Sequence, residues 1–329
     1  MLEIIAPGRY RTRSRKPLLV PLLFFVIGLW GFRFAFAPTG ANAVISPIPD
    51  PPPAAAIPIE TQAVSPKAEV KAAETKAINA EELRAEIKRL ADSASLNNYS
   101  VLVIDYATKT KMGIADTVIY TAASINKIPI LTALYALASK GDLDLDKTIT
   151  LQARDIQDYG TGSIRYAKPG TVYSIKTLAR LMISQSDNTA AFILANHIIG
   201  VKNIQKQLNN WGLSQTDINE NKTSNADIEI LFNKILSNQV AREAMTLEML
   251  SFMTKTDFED RLPALLPDSA TVYHKIGTEV GVIHDVGVID IGTKKYYIGV
   301  FVGDVTDEEG AINFISLVSK TVYDYMKNI

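Results

Sequence analysis

The sequence predicts an α+β fold: an antiparallel sheet flanked by N- and C-terminal helices, with an all-helical subdomain inserted. Three observations point to it. Strand patterns gather in two places, from Tyr99 to Ile114 and from Thr271 to Val302. Helical patterns fill the stretch between them. An amphipathic helix stands at each end. Grouped strands and grouped helices, rather than alternating ones, are the mark of this class.

The elements follow in order. Asn79 with Glu82 makes a capping-box pattern, and Leu83, Ile87 and Leu90 share one face, so a helix opens the domain. Tyr99–Tyr106 alternates and is rich in β-branched residues, which marks a strand, with a second around Lys111–Ile114. Apolar periodicity then predicts helices over Ser124–Ser139, Thr177–Ser186, Ala190–Ile199, Val201–Asn210, Ala226–Leu236 and Arg242–Thr254. Strands return at Thr271–Gly277, Ile283–Ile291 and Lys295–Val302, and an amphipathic helix over Ala311–Met326 closes the chain.

Ahead of this domain the composition changes twice. Arg9, Arg11, Arg13, Arg15 and Lys16 precede an apolar run from Pro17 to Phe32, a basic flank followed by a membrane-inserting segment. The run is short for a full span of ~20 residues and reaches that length if Phe34 to Ala37 join it while Arg33 snorkels. Positive residues stay cytoplasmic, which puts everything downstream outside the membrane. Ala41-Asn42-Ala43 offers a small-residue cleavage site. Residues 1–43 therefore read as a signal anchor or a cleaved signal peptide, and the long tether that follows favours the anchor. Residues 44–78, rich in Pro, Ala, Glu and Lys, cannot bury enough apolar surface to fold and read as an extended spacer. Residues 79–329 remain for the folded domain.

Charge and cysteine content narrow the function classes. The chain has a net charge of −1, with six basic residues and one acidic within residues 1–37, so the rest is mildly acidic and unsuited to nucleic acid. The absence of cysteine removes disulfides, thiol catalysis and thiolate metal sites together. His274, His284 and Asp285 fall in or beside strands without ligand spacing, so neither a metal nor another cofactor is expected. Tyr159-Gly160-Thr161-Gly162-Ser163 is glycine-rich but lacks the lysine and the strand-to-helix context of a phosphate loop, and reads as a cleft-side turn. A monomer is expected.

Three short motifs carry the chemistry. Ser124-Ile125-Asn126-Lys127 places a hydroxyl and an amine at i and i+3, on one face of a helix. A serine is a poor nucleophile until a neighbouring base takes its proton, and a neutral lysine can do so. Lowering a free lysine from ~10.4 to near 7 costs ~4 kcal/mol, which burial and a second cation such as Lys275 can supply. Ser186-Asp187-Asn188 follows an apolar helical stretch, and Lys275-Ile276-Gly277-Thr278 lies in a strand. In this order, S-x-x-K, S-D-N and K-x-G resemble the signature set of penicillin-binding proteins and class A β-lactamases. Arg261-Leu262-Pro263, His274-Lys275, His284-Asp285-Val286-Gly287 and Thr189-Ala190-Ala191 extend the resemblance over residues from about Ala80 to the C-terminus.

The resemblance implies the β-lactamase/transpeptidase-like fold and a role for each residue. Ser124 becomes acylated by a β-lactam or peptide carbonyl, and Lys127 acts as its base. Ser186 relays the proton to the leaving nitrogen, Asn188 holds the substrate amide, and Asp187 ties down its loop. Lys275 supplies positive charge, and Gly277 permits close approach on the strand. The backbone N–H groups of Ser124 and Thr278 form the oxyanion hole, where one donor is worth roughly 10²–10³ in rate. His284 stands near the family's carboxylate-binding arginine. Ile276 departs from the usual Thr or Ser.

A second departure concerns release of the acyl group. Class A β-lactamases carry a long loop with a Glu-x-x-x-Asn pattern, whose glutamate activates the deacylating water. Here only 34 positions separate Asn188 from Lys222, and no such pattern occurs between Trp211 and Asn225. Glu220 and Asp217 are the carboxylates nearby, and a surface-loop role suits them better. Three readings compete: an extracytoplasmic class A β-lactamase-like hydrolase, a penicillin-binding D-alanyl-peptide peptidase that deacylates slowly, and a non-catalytic wall-binding or sensor module.

Overall fold

The structure, a computed structural model, describes residues 79–328. The basic flank, the membrane-inserting segment and the spacer lie outside the described residues. Among the described residues no helix is long and apolar enough to cross a membrane.

Helix α1 (Ala80–Ser93) starts where Asn79 accepts the Glu82 N–H, and buries Leu83, Ile87 and Ala91. Strands β1 (Tyr99–Asp105) and β2 (Lys111–Ile114) follow. A three-residue strand, β3 (Ile119–Thr121), leads through a 3₁₀ turn (Ala123–Asn126) into α2 (Lys127–Lys140). The predicted helix over Ser124–Ser139 thus begins as a 3₁₀ turn, where residues three apart eclipse one another. Helix α2 is apolar on nearly all sides and is buried accordingly, the central rod of the helical subdomain.

Around it lie β4 (Thr148–Thr150) paired with β5 (Val172–Ser174), then α3 (Ile175–Ser184) and α4 (Asn188–Phe192). The helix expected over Ala190–Ile199 widens after Phe192 into a π-helical segment (Ile193–Ile199) that ends at Gly200, whose φ of 88° suits only glycine well. Then come α5 (Val201–Asn210), β6 (Lys222–Ser224) paired with β3, α6 (Asn225–Leu236) and α7 (Glu243–Ser251).

The chain returns to the sheet as β7 (Thr271–Glu279), β8 (Val282–Asp290) and β9 (Lys295–Gly303), and ends in α8 (Glu308–Lys327). The five long strands stand in the order β2-β1-β9-β8-β7, every pair antiparallel, with β7 at an edge. Side chains alternate between faces. Val101, Val103, Ile298, Val300 and Val302 join one core with α1 and α8. Leu102, Tyr297, Phe301, Val286 and Val288 join a second core with the helical subdomain. Helix α6 docks on β9 through Asn225, whose amide donates to the Gly299 carbonyl (2.8 Å) and accepts the Tyr297 hydroxyl (2.8 Å). A β-carbon at Gly299 would sit 2.1 Å from Asn225 Oδ1, so only glycine permits this seam.

Candidate active site

The three motifs meet where the 3₁₀ turn, the α3–α4 junction and the edge strand β7 converge. Ser124 is half-buried at the head of α2. Ala123 before it and Ser186 across from it both hold left-handed backbone, at φ of 48° and 52°. Such non-glycine residues cost about 1–3 kcal/mol each and persist only where their surroundings impose them.

Lys127 Nζ lies 3.0 Å from Ser124 Oγ, 3.1 Å from Ser186 Oγ, 2.6 Å from the Ser186 carbonyl and 2.7 Å from Asn188 Oδ1. The two shortest contacts are to oxygens that can only accept. A neutral amine satisfies both with its two N–H bonds and leaves its one lone pair for either hydroxyl, Ser124 or Ser186, to donate to. Burial lowers the Lys127 pKa to about 7, against an opposing pull from Asp187. Lys275, also buried, donates to the Ile276 carbonyl at 3.0 Å. Its pKa falls well below the ordinary value through burial first and then through the charge of Lys127. The expected mutual effect of the two cations therefore acts on Lys275, while burial alone sets the direction at Lys127.

Asp187 caps α4: one oxygen accepts the Ala190 N–H (2.9 Å) and the other the Ile164 N–H (2.8 Å). The glycine-rich turn packs directly on this segment. Thr161 Oγ1 donates to the Ser186 carbonyl (3.0 Å), and Asn188 Nδ2 donates to the Tyr159 carbonyl (3.2 Å). Both amide ends of Asn188 are thus held, one by Lys127 and one by this turn.

On the opposite wall, Gly277 faces the 3₁₀ turn. A β-carbon there would lie 3.0 Å from both the Ala122 carbonyl and Ile125 Cγ1, so the strand approaches the turn this closely only without a side chain. The His274 N–H points away from β8, donating to the Met253 carbonyl at 2.9 Å. Two-residue alternation turns the Thr278 N–H toward the same free edge. The Thr278 side chain is exposed, and its Oγ1 accepts from Arg261 Nη2 at 2.7 Å.

Two expectations change. His284 does not reach the cleft. It is fully buried on β8, with Nε2 2.9 Å from the Thr121 carbonyl, Nδ1 accepting the Val302 N–H (3.2 Å), and its ring against Phe301. Burial lowers its pKa to about 4, so it is neutral and committed to the protein interior. Beside Lys275, the cation that reaches Thr278 at this edge is Arg261, which enters the sequence analysis only as part of the family resemblance. Arg261 is buried and also donates from Nη1 to the His284 carbonyl (2.8 Å) and the Gly277 carbonyl (3.2 Å). The usable signal was an arginine beside a proline-rich turn just before the K-x-G strand.

In place of a long loop, residues 217–222 make a tight turn closed by the Asp217–Lys222 backbone pair. Its Asn221 carbonyl accepts the Ala122 N–H (2.7 Å), and Asn126 Nδ2 donates to Asn221 Oδ1 (2.8 Å). Glu220 is exposed, and its carboxylate accepts from Asn219 Nδ2 at 3.4 Å.

The family model described as the beta-lactamase enzyme family matches residues 82–326. The chain belongs to that family. It is similar to a beta-lactamase from Bacteroides uniformis, 26% identical over 244 residues, covering 64% of this chain and 81% of that protein. It is 22% identical to the extended-spectrum beta-lactamase PER-1 of Pseudomonas aeruginosa, over 61% of this chain and 74% of that one. Among solved structures it resembles PBP-A, with a TM-score of 0.71 and 26% identity over 75% of this chain and 97% of that one. An ancestral class A beta-lactamase superposes with a TM-score of 0.69 at 21% identity, over 74% and 99% of the two chains, and shares the fold. The protein is a serine hydrolase of the β-lactamase and penicillin-binding type with the β-lactamase/transpeptidase-like fold.

Proposed function

We propose that this serine hydrolase acts outside the cytoplasm, held at the membrane by its N-terminal segment, and forms an acyl-enzyme with β-lactams. One observation carries the reading: a buried amine with a pKa of about 7, placed 3.0 Å from the Ser124 hydroxyl. Lys127 takes the Ser124 proton as Oγ attacks the lactam carbonyl. The carbonyl oxygen gains charge between the Ser124 and Thr278 N–H groups. The C–N bond then breaks, and Ser186, 3.1 Å from Lys127, hands the proton to the departing nitrogen. Lys275 and the Arg261-supported Thr278 hydroxyl supply the edge that receives the substrate carboxylate. Hydrolysis is complete when water displaces Ser124 from the ester.

The short 217–222 turn favours a second reading, in which the acyl group leaves slowly and the natural substrate is a D-alanyl wall peptide. A variant of PBP-A, 26% identical to this chain, has been solved as its acyl-enzyme complex with penicillin G. Intact-mass spectrometry of the full chain after mixing with penicillin G decides between these readings. A gain on Ser124 that vanishes within seconds, with penicilloate released, establishes a β-lactamase; a gain lasting hours establishes the slow acyl-enzyme. No gain overturns the acylation reading. Placement outside the cytoplasm is tested by a C-terminal alkaline phosphatase fusion, which must be active and stay with the membrane after a carbonate wash.

A further inference from the structure

The acylation chemistry leaves one buried charged cluster without a use. His274 immediately precedes Lys275 on β7 and projects from the opposite face of the strand. Its ring is wholly buried. Nδ1 lies 2.9 Å from both carboxylate oxygens of Asp285, itself fully buried on β8, and Nε2 lies 3.2 Å from Glu259 Oε1 and 3.5 Å from Thr256 Oγ1. A neutral imidazole donates from only one nitrogen, so two carboxylates at opposite ends are satisfied together only by an imidazolium. Burial opposes that charge, but Asp285 and then Glu259 outweigh it and raise the His274 pKa to about 9.

The cluster ends at the cleft. Asp285 Oδ2 also accepts the Leu262 N–H at 3.0 Å, which fixes the backbone immediately after Arg261. The guanidinium of Arg261 in turn donates to Thr278 Oγ1 at 2.7 Å. A hydroxyl whose oxygen accepts from a guanidinium has its own proton free to donate outward, and Thr278 is exposed at the strand edge. Three segments are joined in this way: β7 through His274, β8 through Asp285, and residues 256–262 through Glu259 and Leu262.

We propose that His274 is a positioning residue for anion recognition: through Asp285 it holds Arg261 against Thr278, and so selects substrates bearing a carboxylate. This rests on the acyl-enzyme reading above. A buried ion pair that merely stabilised the fold would affect all substrates alike, so the test compares a charged substrate with its neutral twin.

The measurement is the second-order acylation rate of the full chain by penicillin G and by penicillin G methyl ester, followed by intact mass. The natural protein favours the acid. His274→Asn cannot donate at both ends, and lowers the acid rate about tenfold while changing the ester rate less than about threefold. The loss appears in the substrate concentration needed for half-maximal rate rather than in the maximal rate. Glu259→Gln, at the half-exposed end of the cluster, gives a smaller fall in the same ratio and serves where His274→Asn does not fold. An acid-to-ester ratio unchanged in the folded variants overturns the proposal, as does a natural protein with no preference for the acid. Acylation by neither compound overturns the acyl-enzyme reading itself and the positioning role with it.

Discussion

At pH 5 nearly every Lys127 amine carries a proton, because burial lowers its pKa only to about 7. The attacking Ser124 needs the neutral amine, so acylation climbs with pH through that value and levels off above it. At pH 5 the neutral fraction is about one hundredth, and the penicillin acylation rate falls about a hundredfold from its plateau. Lys127→Arg keeps the charge but removes the titration, since a guanidinium does not deprotonate in proteins. That variant acylates at least ~10³-fold more slowly at every pH tested, without the climb. Stopped-flow or quenched mass measurements across pH 5–9 check both statements. Glu220 makes the complementary case. It is exposed and shows no contact with Ser124, Lys127 or Ser186, so Glu220→Gln leaves the lifetime of the acyl-enzyme unchanged. A longer lifetime in that variant would make Glu220 the missing base.

At the scale of elements, the site depends on a few close approaches of backbone to side chain. Gly162 has φ of 109°, and a β-carbon there would lie 2.2 Å from Asp187 Oδ2 and 2.5 Å from its Cα. Gly170 has a similar φ of 92° with nothing within 4 Å of the same position. Gly170→Ala therefore costs the backbone penalty alone, about 1–2 kcal/mol. Gly162→Ala adds about 1–3 kcal/mol of overpacking and pushes the turn off Ser186 and Asn188, so it slows acylation as well. Urea unfolding and the penicillin acylation rate, measured on both variants, separate the two costs. Elements with a long period were legible in the sequence: α1, α2, α8 and the five sheet strands stand close to where the pattern of apolar residues puts them. The three-residue strands β3 to β6 were not, because three residues carry no period. The π-helical turn at Ile193–Ile199 was hidden for a related reason: one extra residue per turn keeps the segment apolar and helical in appearance. His284 failed differently. Its face depends on strand register, where one step exchanges core for cleft, and no feature of a single histidine fixes that.

For the whole molecule, the buried titrating groups His274, Lys127 and Lys275 pull the pH dependence of stability in opposite directions. His274 is raised from 6.5 to about 9 in the folded protein, so its contribution is full below 6.5 and is lost as pH rises through about 9. Lys127 is lowered from 10.5 to about 7, so between those values the unfolded chain holds a proton the folded one lacks, and stability rises with pH. Lys275 shifts in the same direction as Lys127. In the window from about 7 to 9 the His274 loss offsets the Lys127 gain, about 1.4 kcal/mol per pH unit apiece, and the Lys275 gain remains as the net rise. The natural protein thus shows only their sum, and single variants separate the His274 and Lys127 contributions. His274→Asn removes the falling component, so its stability climbs more steeply with pH than that of the natural protein, by about one proton. Lys127→Ala removes a rising component and shifts the slope the other way by the same amount. Urea unfolding at pH 7, 8 and 9 gives the three slopes directly. Equal slopes for all three proteins would mean that neither group changes its proton affinity on folding, and would remove the neutral Lys127 amine on which the acylation mechanism stands.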